Sequence, residues 1–262
     1  MSGIDRIAAA FADHGRRAAL MPYMMGGFPD SDSARGIGRA YAQAGADLVE
    51  LGVPFSDPLA DGPVIHAAGT AALRAGATPG SVLEECAEIS AHVPVVAMTY
   101  MNLVLARGAE AFVAQLAGAG ASGLIVPDLP LEEAPALLVS CDAAGLALVP
   151  LVAPTTPAER LERIGRQARG FLYTVSVVGT TGERAGVRAE VAPVVARAAA
   201  ATDVPVAVGF GISTPEQAAA AADAGADGVI VGTRLVRAAA EAADPAAAAG
   251  ELVAGLAAAL AR

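Results

Sequence analysis

Val49 to Pro63 reads VELGVPFSDPLADGP, an apolar run that ends on Glu50 and then crosses Pro54, Asp57, Pro58 and Asp61. An acid at the end of an apolar run costs desolvation unless something pairs or uses it. Two carboxyls brought to one pocket can give and take protons near neutral pH once burial has raised the pKa of one of them. In purely structural terms, Asp57 and Asp61 are turn formers beside proline and glycine, and Glu50 is one half of a buried pair.

A second group lies nearer the end of the chain. The segments SVVGTTGERAG, VGFGIST and VGTRLV supply Gly182, Gly211 and Gly232, where backbone N–H groups can point at an anion. Glycine there also has a purely conformational reading. Three on successive loops point to a phosphate-bearing substrate. The chain has no lysine, all 17 basic residues being arginine, which excludes an imine-forming lysine, a pyridoxal-phosphate lysine and a P-loop lysine. His14, His66 and His92 show no metal-ligand spacing, so no metal is expected. Acid/base work falls mostly to carboxylates. Cys86 and Cys141 offer neither a CxxC motif nor a disulfide framework.

These residues need elements to hold them. Short, nearly continuous apolar blocks of the kind that strands buried on both faces require occur at Ala19 to Met25, Leu48 to Leu51, Val93 to Met98, Gly123 to Val126, Leu146 to Val152, Phe171 to Val175, Val204 to Val208 and Gly228 to Val231. A weak repeat precedes three of them: Ala44-Gly45-Ala46-Asp47, Ala119-Gly120-Ala121-Ser122 and Ala224-Gly225-Ala226-Asp227. Helical spacing lies between the blocks, with Ser213 expected to cap a helix and Glu216 three residues later. Eight alternations predict a single (β/α)8 barrel over residues 1–262, with an extra helix in Ile4 to His14; a doubly wound sheet is the alternative. In a barrel, Glu50 ends the second strand, and Pro54 to Gly62 forms a loop on the face where such enzymes keep their sites. Phosphate often binds there after strands seven and eight. With 262 residues, 55% of them hydrophobic, and a formal charge of −10, no nucleic acid or anionic membrane partner is expected. No membrane segment and no secretory signal are read, and the cytoplasm is the simplest location.

The run Glu50 to Pro63 resembles the signature of the tryptophan synthase alpha subunit family. The similarity continues through Met98-Thr99-Tyr100-Met101-Asn102, Leu124 to Pro130, Gly179-Thr180-Thr181-Gly182 and Gly209-Phe210-Gly211-Ile212-Ser213. The resemblance implies a (β/α)8 barrel that cleaves indole-3-glycerol phosphate to indole and glyceraldehyde 3-phosphate. It also implies no cofactor in this chain, and an α2β2 complex in which a beta subunit carries pyridoxal phosphate. The family's retro-aldol step uses neither imine nor metal, which suits a chain without lysine.

Carried over by position, the resemblance makes Glu50 the acid/base and gives Asp61 the indole N–H. It places Tyr23, Ile65, Met98, Tyr100, Tyr173, Thr181 and Phe210 about the substrate, and Gly182, Gly211, Gly232 and Thr233 about its phosphate. Pro54, Asp57 and Pro58 would face the partner. Thr233 stands where serine is usual, His66 replaces a usual glutamine, and Arg234, where the family often has a small residue, is expected to be solvated. An autonomous lyase of the same fold and a silent phosphate-binding barrel that regulates a partner are the other readings.

Overall fold

The computed structural model describes residues 1–175, 187–209 and 211–262. Its strands are β1 (Ala19–Met25), β2 (Val49–Gly52), β3 (Val95–Met98), β4 (Gly123–Ile125), β5 (Ala147–Val149), β6 (Leu151–Val152), β7 (Leu172–Val175), β8 (Val206–Gly209) and β9 (Gly228–Val231). All pair in parallel, in the order β5-β4-β3-β2-β1-β9-β8-β7-β6. The two ends of this sheet, β5 and β6, are halves of the single block Leu146 to Val152, interrupted at Pro150. Proline has no N–H to give a ladder, although its carbonyl still accepts the Tyr173 N–H at 3.1 Å. The sheet therefore closes as an eight-stave barrel whose fifth stave is split, and each predicted block forms its strand.

The helices are α1 (Gly3–Asp13), α2 (Ser31–Gln43), α3 (Pro63–Arg74), α4 (Pro79–Ser90), α5 (Met101–Arg107), α6 (Ala109–Gly118), α7 (Pro135–Ala144), α8 (Ala158–Gln167), α9 (Val187–Ala199), α10 (Pro215–Asp223), α11 (Thr233–Glu241) and α12 (Pro245–Ala259). Simple alternation thus fails at three places: helix pairs α3–α4 and α5–α6 each fill one connection, and the pair α11–α12 follows the last strand. Glycine or proline beside each break separates the paired helices: Gly76 and Pro79, Gly108, and Pro245. The cap of α10 is Thr214 rather than Ser213. Pro215 is suited to the first turn of a helix, so the residue before it becomes the cap, and Gln217 completes the capping box in place of Glu216. Ser213 instead donates to Gln217 Oε1 through both its N–H, at 2.8 Å, and its hydroxyl, at 2.9 Å.

Alternation along the strands sets what the barrel contains. Met21, Leu48, Val96, Ile125, Ala147, Val149, Phe171, Ala207 and Ile230 pack in one inner cluster, which Ile7 of the extra helix α1 joins from below. The alternate residues pack outward under the helices, as Leu20, Val49, Leu51, Val95 and Leu124 do. Side chains two residues further along the inward series reach the carboxyl-end face.

At the opposite face, the repeat noted in the sequence has a common job. Asp47, just before β2, donates its N–H to the Leu20 carbonyl at 2.9 Å, while its carboxylate accepts the Leu20 N–H at 2.8 Å. Asp227, just before β9, makes the same two bonds to Val206, at 2.9 and 2.8 Å. Each aspartate clasps the start of the preceding strand. Arg16 adds an ion pair to Asp47. Ser122 keeps the backbone half of the clasp, its N–H donating to the Val95 carbonyl at 2.7 Å, but its shorter side chain makes no hydrogen bond among the described residues.

Candidate active site

The inward series continues upward into a cavity at the carboxyl ends of the strands. Tyr23 stands two residues beyond Met21, Glu50 beyond Leu48, Met98 beyond Val96, Tyr173 beyond Phe171 and Gly232 beyond Ile230, and all line it. With them are Asp61 and Ile65 from the loop and helix after β2, and Gly211 and Thr233 from the loops after β8 and β9. Glu50 is registered with Tyr23 on one side and with Val96 on the other.

Glu50 is 1% exposed, and neither carboxyl oxygen has a hydrogen-bond partner among the described residues. Burial, with Asp61 nearby as a lesser cause, pushes its pKa up to about 8. The acid is therefore neutral and able to donate a proton at pH 7. Asp61 is half-buried, and burial raises its pKa as well, opposed by a hydrogen bond from Tyr100 and by His66. That bond runs from the Tyr100 hydroxyl to Asp61 Oδ1 at 2.8 Å. The two carboxyls thus differ in state: one is dry and unpartnered, the other is held by a donor. Divergent environments of this kind allow one cavity to supply both a proton donor and a fixed negative charge.

The phenol rings of Tyr23 and Tyr173 wall the cavity, and each overlies a glycine at the end of the neighbouring strand. A Cβ on Gly52 would lie 2.1 Å from the Tyr23 hydroxyl oxygen, and one on Gly209 would lie 2.6 Å from that of Tyr173. Beside the Tyr23 ring, Gly232 is the N-cap of α11 and has no side chain to cap it. The first N–H groups of a helix lack intrahelical partners, and the helix dipole makes that end positive, which suits an anion. Gly211, at φ +66°, brings a backbone turn to the same rim.

Of the residues singled out in the sequence, Glu50, Asp61, Tyr23, Ile65, Met98, Tyr173, Gly211, Gly232 and Thr233 meet in this cavity. Tyr100 does not line it; it stands behind Asp61. Thr181, Gly182 and Phe210 lie outside the described residues. Pro54 is buried, so the outer edge of the loop after β2 begins at Ser56, with Asp57 exposed and Pro58 half-buried. His66 is exposed on α3, and Arg234 is half-buried away from the cavity lining. Sequence reasoning missed Pro127, Leu151, Val175, Ile212 and Ile230 as lining residues. All but Ile212 follow from the period of two counted upward from the inner core. It also missed Leu59, 75% exposed in the loop after β2, and Leu105, 64% exposed on helix α5 after β3. No group of acids, histidines and cysteines able to hold a metal occurs among the described residues.

Fold and site together define a (β/α)8-barrel enzyme with two acids at an apolar cavity on the carboxyl-end face. Residues 10–259 match the family model described as tryptophan synthase alpha chain. The alpha chain of Gloeobacter violaceus is 51% identical over 88% of this chain and 86% of its own length. That of Synechococcus elongatus is 49% identical over 90% and 89%. Among solved structures, tryptophan synthase of Mycobacterium tuberculosis superposes with a TM-score of 0.91 at 39% identity, covering 98% of both chains. The alpha subunit from Legionella pneumophila gives 0.89 at 35%, covering 99% and 98%. The chain belongs to the tryptophan synthase alpha chain family.

Proposed function

We propose that this chain cleaves indole-3-glycerol phosphate to indole and glyceraldehyde 3-phosphate, and that Glu50 carries the proton transfers. The observation that supports this most is the state of Glu50: fully buried, without a partner and with its pKa raised to about 8. Cleavage requires the indole carbon that bears the side chain to become tetrahedral. A neutral Glu50 gives that carbon its proton, leaving a carboxylate and a positively charged ring. The carbon–carbon bond then breaks as the neighbouring hydroxyl becomes a carbonyl, and its proton returns to Glu50. The acid ends as it began, and one proton has moved from oxygen to carbon. Asp61, as a carboxylate, accepts the indole N–H and offsets the charge on the ring; the Tyr100 hydrogen bond favours that form against burial.

Gly211, Gly232 and Thr233 supply N–H groups for the phosphate, and Gly182 and Thr181 belong to the same proposed set. Tyr23, Ile65, Met98, Tyr173 and Phe210 hold the indole. Asp57, Pro58 and the exposed Leu59 and Leu105 face a beta subunit that carries pyridoxal phosphate, in an α2β2 complex of the cytoplasm. No helix among the described residues is long and apolar enough to cross a membrane.

Indole release from indole-3-glycerol phosphate by the purified chain, alone and with a beta subunit, tests the reading. Activity that grows on adding the partner is expected, and none in either case would overturn the assignment. A rate indifferent to the partner would favour an autonomous lyase. Glycerol phosphate should compete with substrate. Gly211→Val, which places a branched side chain at positive φ, should raise KM roughly tenfold or more by misplacing the backbone that meets the phosphate; an unchanged KM would move the phosphate elsewhere.

A further inference from the structure

One side chain holds both feet of the loop between β2 and α3. The Tyr100 ring stacks on Phe55, with centroids 5.6 Å apart and planes at 29°. Its hydroxyl oxygen accepts the Ala60 N–H at 3.1 Å and donates to Asp61 Oδ1 at 2.8 Å. Between those feet, Ser56, Asp57 and Leu59 are exposed and Pro58 is half-buried. Tyr100 is itself fixed: it is 4% exposed, and it is the N-cap of α5, whose first N–H, at Met101, is capped by Asp128 Oδ1 at 2.9 Å.

We propose that Tyr100 is a positioning residue: through its hydroxyl it fixes where Asp61 stands and in which charge state, and through its ring it ties that carboxylate to the outer edge of the loop. The inference rests on the role proposed above for Asp61. It reassigns Tyr100 from the cavity wall, where the resemblance put it, to the support behind the wall. Burial and Asp61 together hold the tyrosine hydroxyl above its ordinary pKa, so it stays a donor throughout the working range. A donor aimed at a carboxylate favours the ionised form, opposing the burial that pushes Asp61 upward. A pull on the exposed edge of the loop is felt at Phe55 and Ala60, hence at Tyr100 and Asp61. That is a route by which a protein bound to this edge changes turnover.

Tyr100→Phe deletes one oxygen and keeps the ring. It should lower turnover roughly tenfold and move the acid limb of the kcat/KM profile to higher pH, because Asp61 loses the bond that favours its charge. A merely structural residue would lower the rate without moving that limb. Phe55→Leu, which removes the stack and leaves the hydroxyl, should keep the acid limb in place but weaken the stimulation by a beta subunit. Asp61→Asn separates this inference from the reading beneath it. If Asp61→Asn keeps full turnover, the role of Asp61 is wrong. If Asp61→Asn is inactive while Tyr100→Phe keeps the wild-type rate and profile, only the role of Tyr100 falls. In the Asp61→Asn background, Tyr100→Phe should change the residual rate much less than in wild type, since the two act as one unit. Equal effects in both backgrounds would overturn the proposal.

Discussion

Asp47 and Glu50 stand at opposite ends of one short run, and their surroundings are opposite too. The Asp47 carboxylate accepts the Leu20 N–H and pairs with Arg16. Neither Glu50 oxygen meets a donor among the described residues. The acid at the foot of the barrel has all that a carboxylate needs from the protein, and the acid at the top has been left for something the protein does not supply. Asp227 repeats the lower pattern on β8. The contrast separates an acid whose hydrogen bonds are spent on holding the fold, at one end of the run, from one left unmet beside a cavity at the other.

The sharpest way to break this comparison is to neutralise each kind of acid. Glu50→Gln and Asp61→Asn should each lower turnover by roughly two powers of ten or more with the fold intact, as removal of a general acid/base or of a charge aimed at the ring should. Circular dichroism beside an indole-release assay checks both halves, and near-normal turnover in Glu50→Gln would end the division between upper and lower acids.

The next largest effect is on stability against pH. The native pKa of Glu50, about 8, stands above its ordinary 4.5, so the folded chain keeps a proton that the unfolded chain has already lost. This contribution is fully present below about pH 4.5 and is lost as pH rises through about 8. At pH 9, Glu50→Gln should therefore be more stable than wild type by on the order of a few kcal/mol, and little different near pH 5. Denaturant unfolding at the two pH values measures it. The base limb of kcat/KM should fall in the same region, because substrate binding then meets an acid that has lost its proton.

Smaller effects are expected at the foot. Asp47→Ala should cost about 2 kcal/mol, since it unpairs Arg16 and leaves the Leu20 N–H unmet, and the more exposed Asp227→Ala about 1 kcal/mol. Both should leave kcat in place. A loss of kcat with unchanged stability in either variant would overturn the division from the other side.

Much of this was legible in the sequence, for physical reasons that differ from residue to residue. Strands buried on both faces must be apolar throughout, so all eight blocks stood out, and Glu50 stood out as an acid within one of them. Asp61 gave a weaker signal: its loop could bend back toward Glu50, but an acid between prolines reads equally well as a turn, and only the resemblance gave it a role. The paired helices between β2 and β3 were hidden because alternation says nothing about how many helices fill a connection. The bonds that the Tyr100 hydroxyl makes with Ala60 and Asp61 were hidden because a sequence does not show which way a hydroxyl turns, and the resemblance put that residue about the substrate. Pro54 read as surface through its type, whereas its burial follows from lying directly beyond the last residues of a fully enclosed strand.

The split fifth stave has a mechanical meaning. A closed hoop bears load evenly only if every stave is gripped along its length by both neighbours. At Pro150 the grip changes hands: Ala147–Val149 is held by β4, and the two-residue piece Leu151–Val152 by β7. The belt is thinnest on that meridian, and Leu151, just past the seam, is part of the cavity wall. Slow breathing of the barrel is thus expected to start beside the cavity, with the amides of Leu151 and Val152 exchanging with solvent ahead of those of β1 and β2.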